Sequence, residues 1–162
     1  KPERVLAETI GHRDMKMKRF NLKALSACGA LLLATQAFAA AQGAGETYRA
    51  RLSVVPLDVA MQANVAGLGQ VTATLVGTRL TVTGDANGLR SPATTVSIHR
   101  GPKGIPGPAI LTLTATHTTS PTISGTLDLT PQQIADLRGE QFYVQLNSER
   151  APEGNLRGWL LK

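Results

Sequence analysis

Val71-Thr72-Ala73-Thr74-Leu75-Val76-Gly77-Thr78-Arg79-Leu80-Thr81-Val82-Thr83 is the stretch that decides the fold class. Val71, Ala73 and Leu75 alternate with Thr72 and Thr74; past Gly77-Thr78, Leu80 and Val82 alternate with Thr81 and Thr83. A period of two belongs to a strand with one face in the core and one in water, and threonine suits the wet face. Two such runs joined across a Gly-containing pair predict a β-hairpin.

The same pattern continues on both sides. Tyr48, Ala50, Leu52 and Val54 alternate with Arg49, Arg51 and Ser53 before Pro56 closes the run. Further strand-like segments cover 94–99, 110–116, 122–129, 141–147 and 155–161, with turn chemistry at Asp85-Ala86-Asn87-Gly88, Ser120-Pro121 and Ala151-Pro152-Glu153-Gly154. Residues 101–108 scan as Gly-x-y triplets, but so few triplets predict a stiff surface loop rather than collagen. One short helix is expected near 130–138: Thr130 caps it, Pro131 opens it, Gln133 sits at the capping-box return position and Gly139 follows as C-cap. At about two turns it must pack Ile134 and Leu137 on the sheets to persist. About seven or more short antiparallel strands with no βαβ alternation predict an all-β sandwich or barrel.

The 162 residues suit one domain preceded by a short segment, and the net charge of +6 is unevenly spread. Residues 1–39 hold seven Lys/Arg against three Asp/Glu, and 40–162 hold ten against eight. Lys16, Lys18, Arg19 and Lys23 precede the apolar run 24–34, and Ala37-Phe38-Ala39 supplies small residues for a signal peptidase. Residues 17–39 therefore read as a signal peptide cleaved near Ala39, with 1–16 an upstream extension, 40–45 a linker and 46–162 the folded domain. The apolar run is shorter than a membrane span. An uncleaved anchor, or a lipidated Cys28 in Leu25-Ser26-Ala27-Cys28, are the rival readings. Cleavage would remove the only cysteine, leaving the exported domain without disulfide, iron–sulfur or thiolate-zinc chemistry.

Candidate chemistry is sparse. Nucleic-acid binding needs a dense basic patch, which ten cations against eight anions do not supply. His99 is the one weak metal candidate: its neighbour Arg100 opposes a cation, and Asp85, Asp128 or Asn147 would have to be gathered by the fold to complete a ligand set. Ser97 shares a strand face with His99, yet no third orienting group is evident, and no Gly-x-Ser-x-Gly elbow is present. Trp159 beside Arg157 has the composition of a recognition patch. Gly158 inside a strand signals close backbone approach, with Arg157 placed to satisfy turn carbonyls or to pair with Glu153.

Three blocks taken in order resemble the chordin-type (CHRD) domain of secreted bacterial proteins and animal chordin. They are Tyr48-Arg49-Ala50-Arg51-Leu52 with Val55-Pro56; Val96-Ser97-Ile98-His99-Arg100-Gly101 with Gly104 and Gly107; and Leu129-Thr130, Leu137-Arg138-Gly139 and Tyr143-Val144 leading to Pro152-Glu153-Gly154-Asn155-Leu156-Arg157-Gly158. The resemblance covers 46–162 and implies an immunoglobulin-like antiparallel β-sandwich, exported, with no established enzymatic activity. Where the family usually reads His-Ile-His this chain has Ser97-Ile98-His99, and Asn147 stands where a later histidine is common, so a metal role is in doubt. The expected function is a non-catalytic, cofactor-free, monomeric binding or structural module, secreted or periplasmic, meeting an envelope or extracellular protein or polymer and no nucleic acid. The candidate binding residues are His99, Arg100, Lys103, Asn147, Arg157 and Trp159, and 101–108 and 148–155 are the expected contact loops. The rival function is a metal-binding or redox accessory protein centred on His99.

Overall fold

The computed structural model describes residues 45–55 and 61–162. The chain divides into two units, Lys1–Ala41 and Gln42–Lys162, and the described residues belong to the second. The expected signal peptide, its cleavage site, Cys28 and Pro56 lie outside the described residues.

The strands are β1 (Glu46–Val54), β2 (Leu68–Val76), β3 (Arg79–Asn87), β4 (Ala93–Arg100), β5 (Ala109–Ala115), β6 (Thr122–Asp128), β7 (Phe142–Ser148) and β8 (Ala151–Trp159), with helix α1 (Pro131–Arg138) between β6 and β7. All pairings are antiparallel, in the closed order β1-β2-β3-β6-β5-β4-β7-β8 and back to β1. The expected immunoglobulin-like sandwich is thereby corrected to an eight-stranded barrel. Two walls with long ladders, β1-β2-β3-β6 and β5-β4-β7-β8, meet along two short seams. One seam pairs Ser53 with Arg157 and Val54 with Leu156; the other pairs Thr114 with Ser124 and Ala115 with Ile123. These few rungs suffice to close the sheet, and closure removes the unpaired edges a sandwich would leave.

The hairpin over 71–83 forms as its alternation predicts. Val71, Ala73 and Leu75 of β2 and Leu80 and Val82 of β3 are buried, and Thr74 faces Thr81 across the ladder. Buried apolar residues from each of the eight strands join Leu89, Leu129, Leu137 and Leu160 in one cluster. An eight-stranded barrel has an interior just wide enough for side chains to fill, and here a mainly aliphatic set occupies it.

Helix α1 has the expected capping box. Thr130 Oγ1 accepts from the Gln133 N–H at 3.2 Å, and Gln133 Oε1 accepts from the Thr130 N–H at 2.9 Å. Leu137 is fully buried and Ile134 packs partly against the same core. Burying a leucine contributes about 1.5–3 kcal/mol, the scale needed to hold a helix too short to persist alone. Gly139 follows the helix with φ −82°, and the left-handed residue is Glu140 at φ 54°.

Two turns fall elsewhere than expected. Strand β3 runs through Asp85 to Asn87, so the chain turns at Gly88. Ala151–Gly154, read as a turn, opens strand β8; Ser148 pairs with Ala151, leaving Glu149 and Arg150 as the turn. Pro152 is tolerated because it lies near the strand start, beside the irregular register at Leu146/Ser148.

At the start of β1, Glu46 gathers cations. Its carboxylate accepts from Arg138 Nε at 2.9 Å and Lys162 Nζ at 3.3 Å, and from the Tyr48 hydroxyl at 2.9 Å. Hydrogen bonding from Arg138, helped by the Tyr48 hydroxyl, lowers the Glu46 pKa to about 2. Burial, then the bond to Glu46, raises the Tyr48 pKa to about 12.

Candidate functional site

Strand β7 departs from alternation. Phe142, Val144 and Leu146 point into the core, yet Tyr143 and Gln145, on the opposite face, are buried as well. Register explains which side chains meet there. Tyr143 lies between His99 of β4 and Trp159 of β8, and Gln145 between Ser97 and Arg157. Two rows of side chains from three strands thus line up on the outer surface of this wall.

The rings form a stack. His99 lies over Tyr143 with centroids 4.9 Å apart and planes 22° apart, and Trp159 follows at 5.0 Å and 39°. The Arg157 guanidinium carbon sits 5.3 Å from the Tyr143 ring centroid, while Nε and Nη2 donate to Gln145 Oε1 at 3.2 and 2.7 Å. Gln145 Nε2 in turn donates to Asn147 Oδ1 at 3.1 Å and to the Glu153 carbonyl at 3.2 Å. Arg157 therefore bonds to the Gln145 side chain, where the sequence analysis expects turn carbonyls or Glu153 as its partner.

This stack fastens the loop 101–108. The Tyr143 hydroxyl accepts from the Gly107 N–H and donates to the Gly107 carbonyl, both at 2.9 Å. His99 Nδ1 lies 2.9 Å from that carbonyl and Trp159 Nε1 donates to the Gly101 carbonyl at 3.2 Å. A carbonyl only accepts, so Nδ1 carries a proton and donates to it, while Nε2 lies 2.9 Å from Ser97 Oγ. Ser97, His99 and the Gly107 carbonyl thus stand in line, and the chain of contacts ends on the loop. Gly107 is required sterically: a Cβ there would lie 1.9 Å from the Arg100 carbonyl oxygen.

A cleft of about 390 Å³ opens beside the loop, lined by Val55, Met61, Gly104, Pro106 and, from β8, Glu153, Gly154 and Arg157. Buried Asn155 organises its far side. Asn155 Oδ1 accepts from the Ala66 N–H at 3.2 Å, and its Nδ2 donates to Ser148 Oγ at 3.1 Å. Val55, Val65 and Ala151 form a small apolar cluster there, with Met61 packed on it.

The structure thus gathers His99, Asn147, Arg157 and Trp159 of the sequence-derived set. It turns Arg100 away: Arg100 forks onto Asp136 of α1, Nε to Oδ2 at 2.9 Å and Nη2 to Oδ1 at 3.1 Å, tying helix to wall. Lys103 stands exposed on the loop, and Ile105 beside it is 60% exposed. Among the described residues, no three His, Cys, Asp or Glu side chains gather as a ligand set.

The distinctive blocks of the sequence converge on this one corner: the tyrosine strand, the Gly-rich loop and the Pro-x-Gly-Asn-x-Arg-Gly ending. The family model for the CHRD domain matches residues 48–160. The chain belongs to the CHRD domain family. No curated protein and no solved structure matches it. Within the CHRD domain the last block now has physical content. Asn155 pins the segment near 66, Arg157 packs on the central ring of the stack, and a Cβ at Gly158 would meet the Arg51 carbonyl oxygen at 2.4 Å. Ser97 supplies the hydroxyl on His99.

Gln145 and Tyr143 are absent from the sequence-derived set of binding residues. The signal was present in Phe142-Tyr143-Val144-Gln145-Leu146, where no charged residue occupies the face that should be wet.

Proposed function

We propose that this CHRD domain is an exported, non-catalytic, monomeric binding module that meets an envelope or extracellular protein through loop 101–108. The observation that carries the reading is the ring stack fastening Gly101 and Gly107, which holds Lys103 and Ile105 out beside the cleft. A loop already fixed in its bound shape loses little entropy on association, and an exposed isoleucine next to a lysine on a rigid support suits a protein contact. Among the described residues no helix is long and apolar enough to cross a membrane. Export itself is proposed from the residue 17–39 pattern.

The full chain, used as bait in an extract of its native envelope, tests this. The expected result is a captured protein that is lost with Ile105→Asp while the melting temperature stays unchanged. Capture indifferent to that substitution would contradict the reading. The metal or redox alternative centres on His99, whose ring nitrogens meet Ser97 and Gly107. Tight stoichiometric copper or zinc binding by chelator-treated protein, abolished in His99→Gln, would favour that alternative.

A further inference from the structure

The other wall carries a second, differently built surface. Its outer face is a grid of short polar side chains in register: Thr47, Thr74, Thr81 and Thr126 form one row across four strands, and Arg49, Thr72, Thr83 and Ser124 the next. Backbone spacing sets neighbours in a row about 4.8 Å apart and successive rows about 6.7 Å apart.

Two arginines break the neutrality of this grid. Arg49 and Arg51 are exposed on the same face of β1, and among the described residues neither pairs with a carboxylate, whereas Arg79, Arg100, Arg138 and Lys162 all do. Both line a groove of about 480 Å³ whose opposite side offers Gln70, Thr72, Asp85 and Asn87, with Leu68, 57% exposed, as an apolar patch. Among the described residues the Asp85 carboxylate accepts from Gln70 Nε2 at 3.4 Å.

We propose that this groove binds a carboxylate-bearing polysaccharide. Guanidinium forks match planar carboxylates and hold them bidentately. The amide, hydroxyl and carboxylate groups opposite supply donors and acceptors for sugar hydroxyls, and Leu68 offers a surface to the C–H face of a ring. An acidic peptide fits less well, because extended peptides dock by adding a strand to an open edge and the barrel closes its edges. Nucleic acid lacks aromatic platforms on this face. The site lies on β1–β3, away from loop 101–108, so it stands or falls independently of the protein contact proposed above.

The test titrates the full chain at low salt with oligogalacturonate, neutral dextran and poly-glutamate. Oligogalacturonate is expected to bind, and neutral dextran and poly-glutamate to bind at least about tenfold more weakly. The double substitution Arg49→Gln/Arg51→Gln should weaken oligogalacturonate binding by about tenfold or more without shifting the melting temperature. Arg150→Gln, at an exposed cation on the β7–β8 turn, should leave it unchanged. Absence of oligogalacturonate binding, an unaffected double variant, or equal binding of poly-glutamate or dextran would each overturn the proposal.

Discussion

The two walls of this barrel are made of the same kind of strand and read very differently. On β2 and β3, burial alternates almost residue by residue, because one face meets the core and the other meets water. On β7, six of seven residues are buried, because a Gly/Pro loop and its stack of rings cover the outer face. An open wall has one core to satisfy; a covered wall has two. Substitutions on the outer faces should therefore have unequal consequences.

The largest contrast is expected at Tyr143. Tyr143→Ala removes a buried ring together with the loop's two bonds at Gly107, and should cost about 3–5 kcal/mol by urea denaturation. A cost below 1 kcal/mol would mean the outer layer is not a packed layer. Next comes Arg157→Ala, which loses charge-assisted bonds to Gln145 and the contact with Tyr143. A loss of about 1–3 kcal/mol is expected, with the cleft perturbed as a consequence.

The pH dependence sharpens the comparison at the far end of the open wall. The Glu46 pKa is depressed in the fold from 4.5 to about 2, so its contribution is present above the ordinary value and is lost as pH falls through that interval. The wild-type chain should lose stability relative to Glu46→Gln between about pH 4.5 and 2, and parallel acid-unfolding curves would refute the knot. Tyr48, raised from 10.0 to about 12, should cost stability as pH rises through that range. The smallest effect belongs to Thr81→Ala on the open face, expected within about 0.5 kcal/mol of wild type in the same denaturation assay.

These differences also mark what the sequence could reveal. The open wall was legible because water on one face writes a period of two into Val71–Val76 and Arg79–Val82, and α1 was legible because capping chemistry is local to Thr130 and Gln133. Closure into a barrel was not, since it depends on two-rung seams such as Ser53 with Arg157, residues far apart in the chain with no special composition. The start of β8 was mistaken because Pro152 and Gly154 have turn chemistry even where a bulged strand accommodates them. At the candidate site the residue types were visible in His99, Arg157 and Trp159, but their meeting depends on the register of three strands around Tyr143. Arg100 misled for a related reason. As the neighbour of His99 along a strand, it points to the other side, where Asp136 awaits it.

The central claim is that loop 101–108 is part of the packed structure, held by an aromatic stack on a wall with two buried faces. Native-state hydrogen exchange on the wild-type chain and Tyr143→Phe tests it most directly. The Gly101 N–H, bonded to the Gln141 carbonyl at 2.8 Å, and the Gly107 N–H should exchange as slowly as the strand amides of β4 and β7. In Tyr143→Phe, Gly107 should lose that protection while β1–β3 keep theirs. A loop that exchanges freely in the wild-type chain, with the strands beneath it protected, would contradict the account.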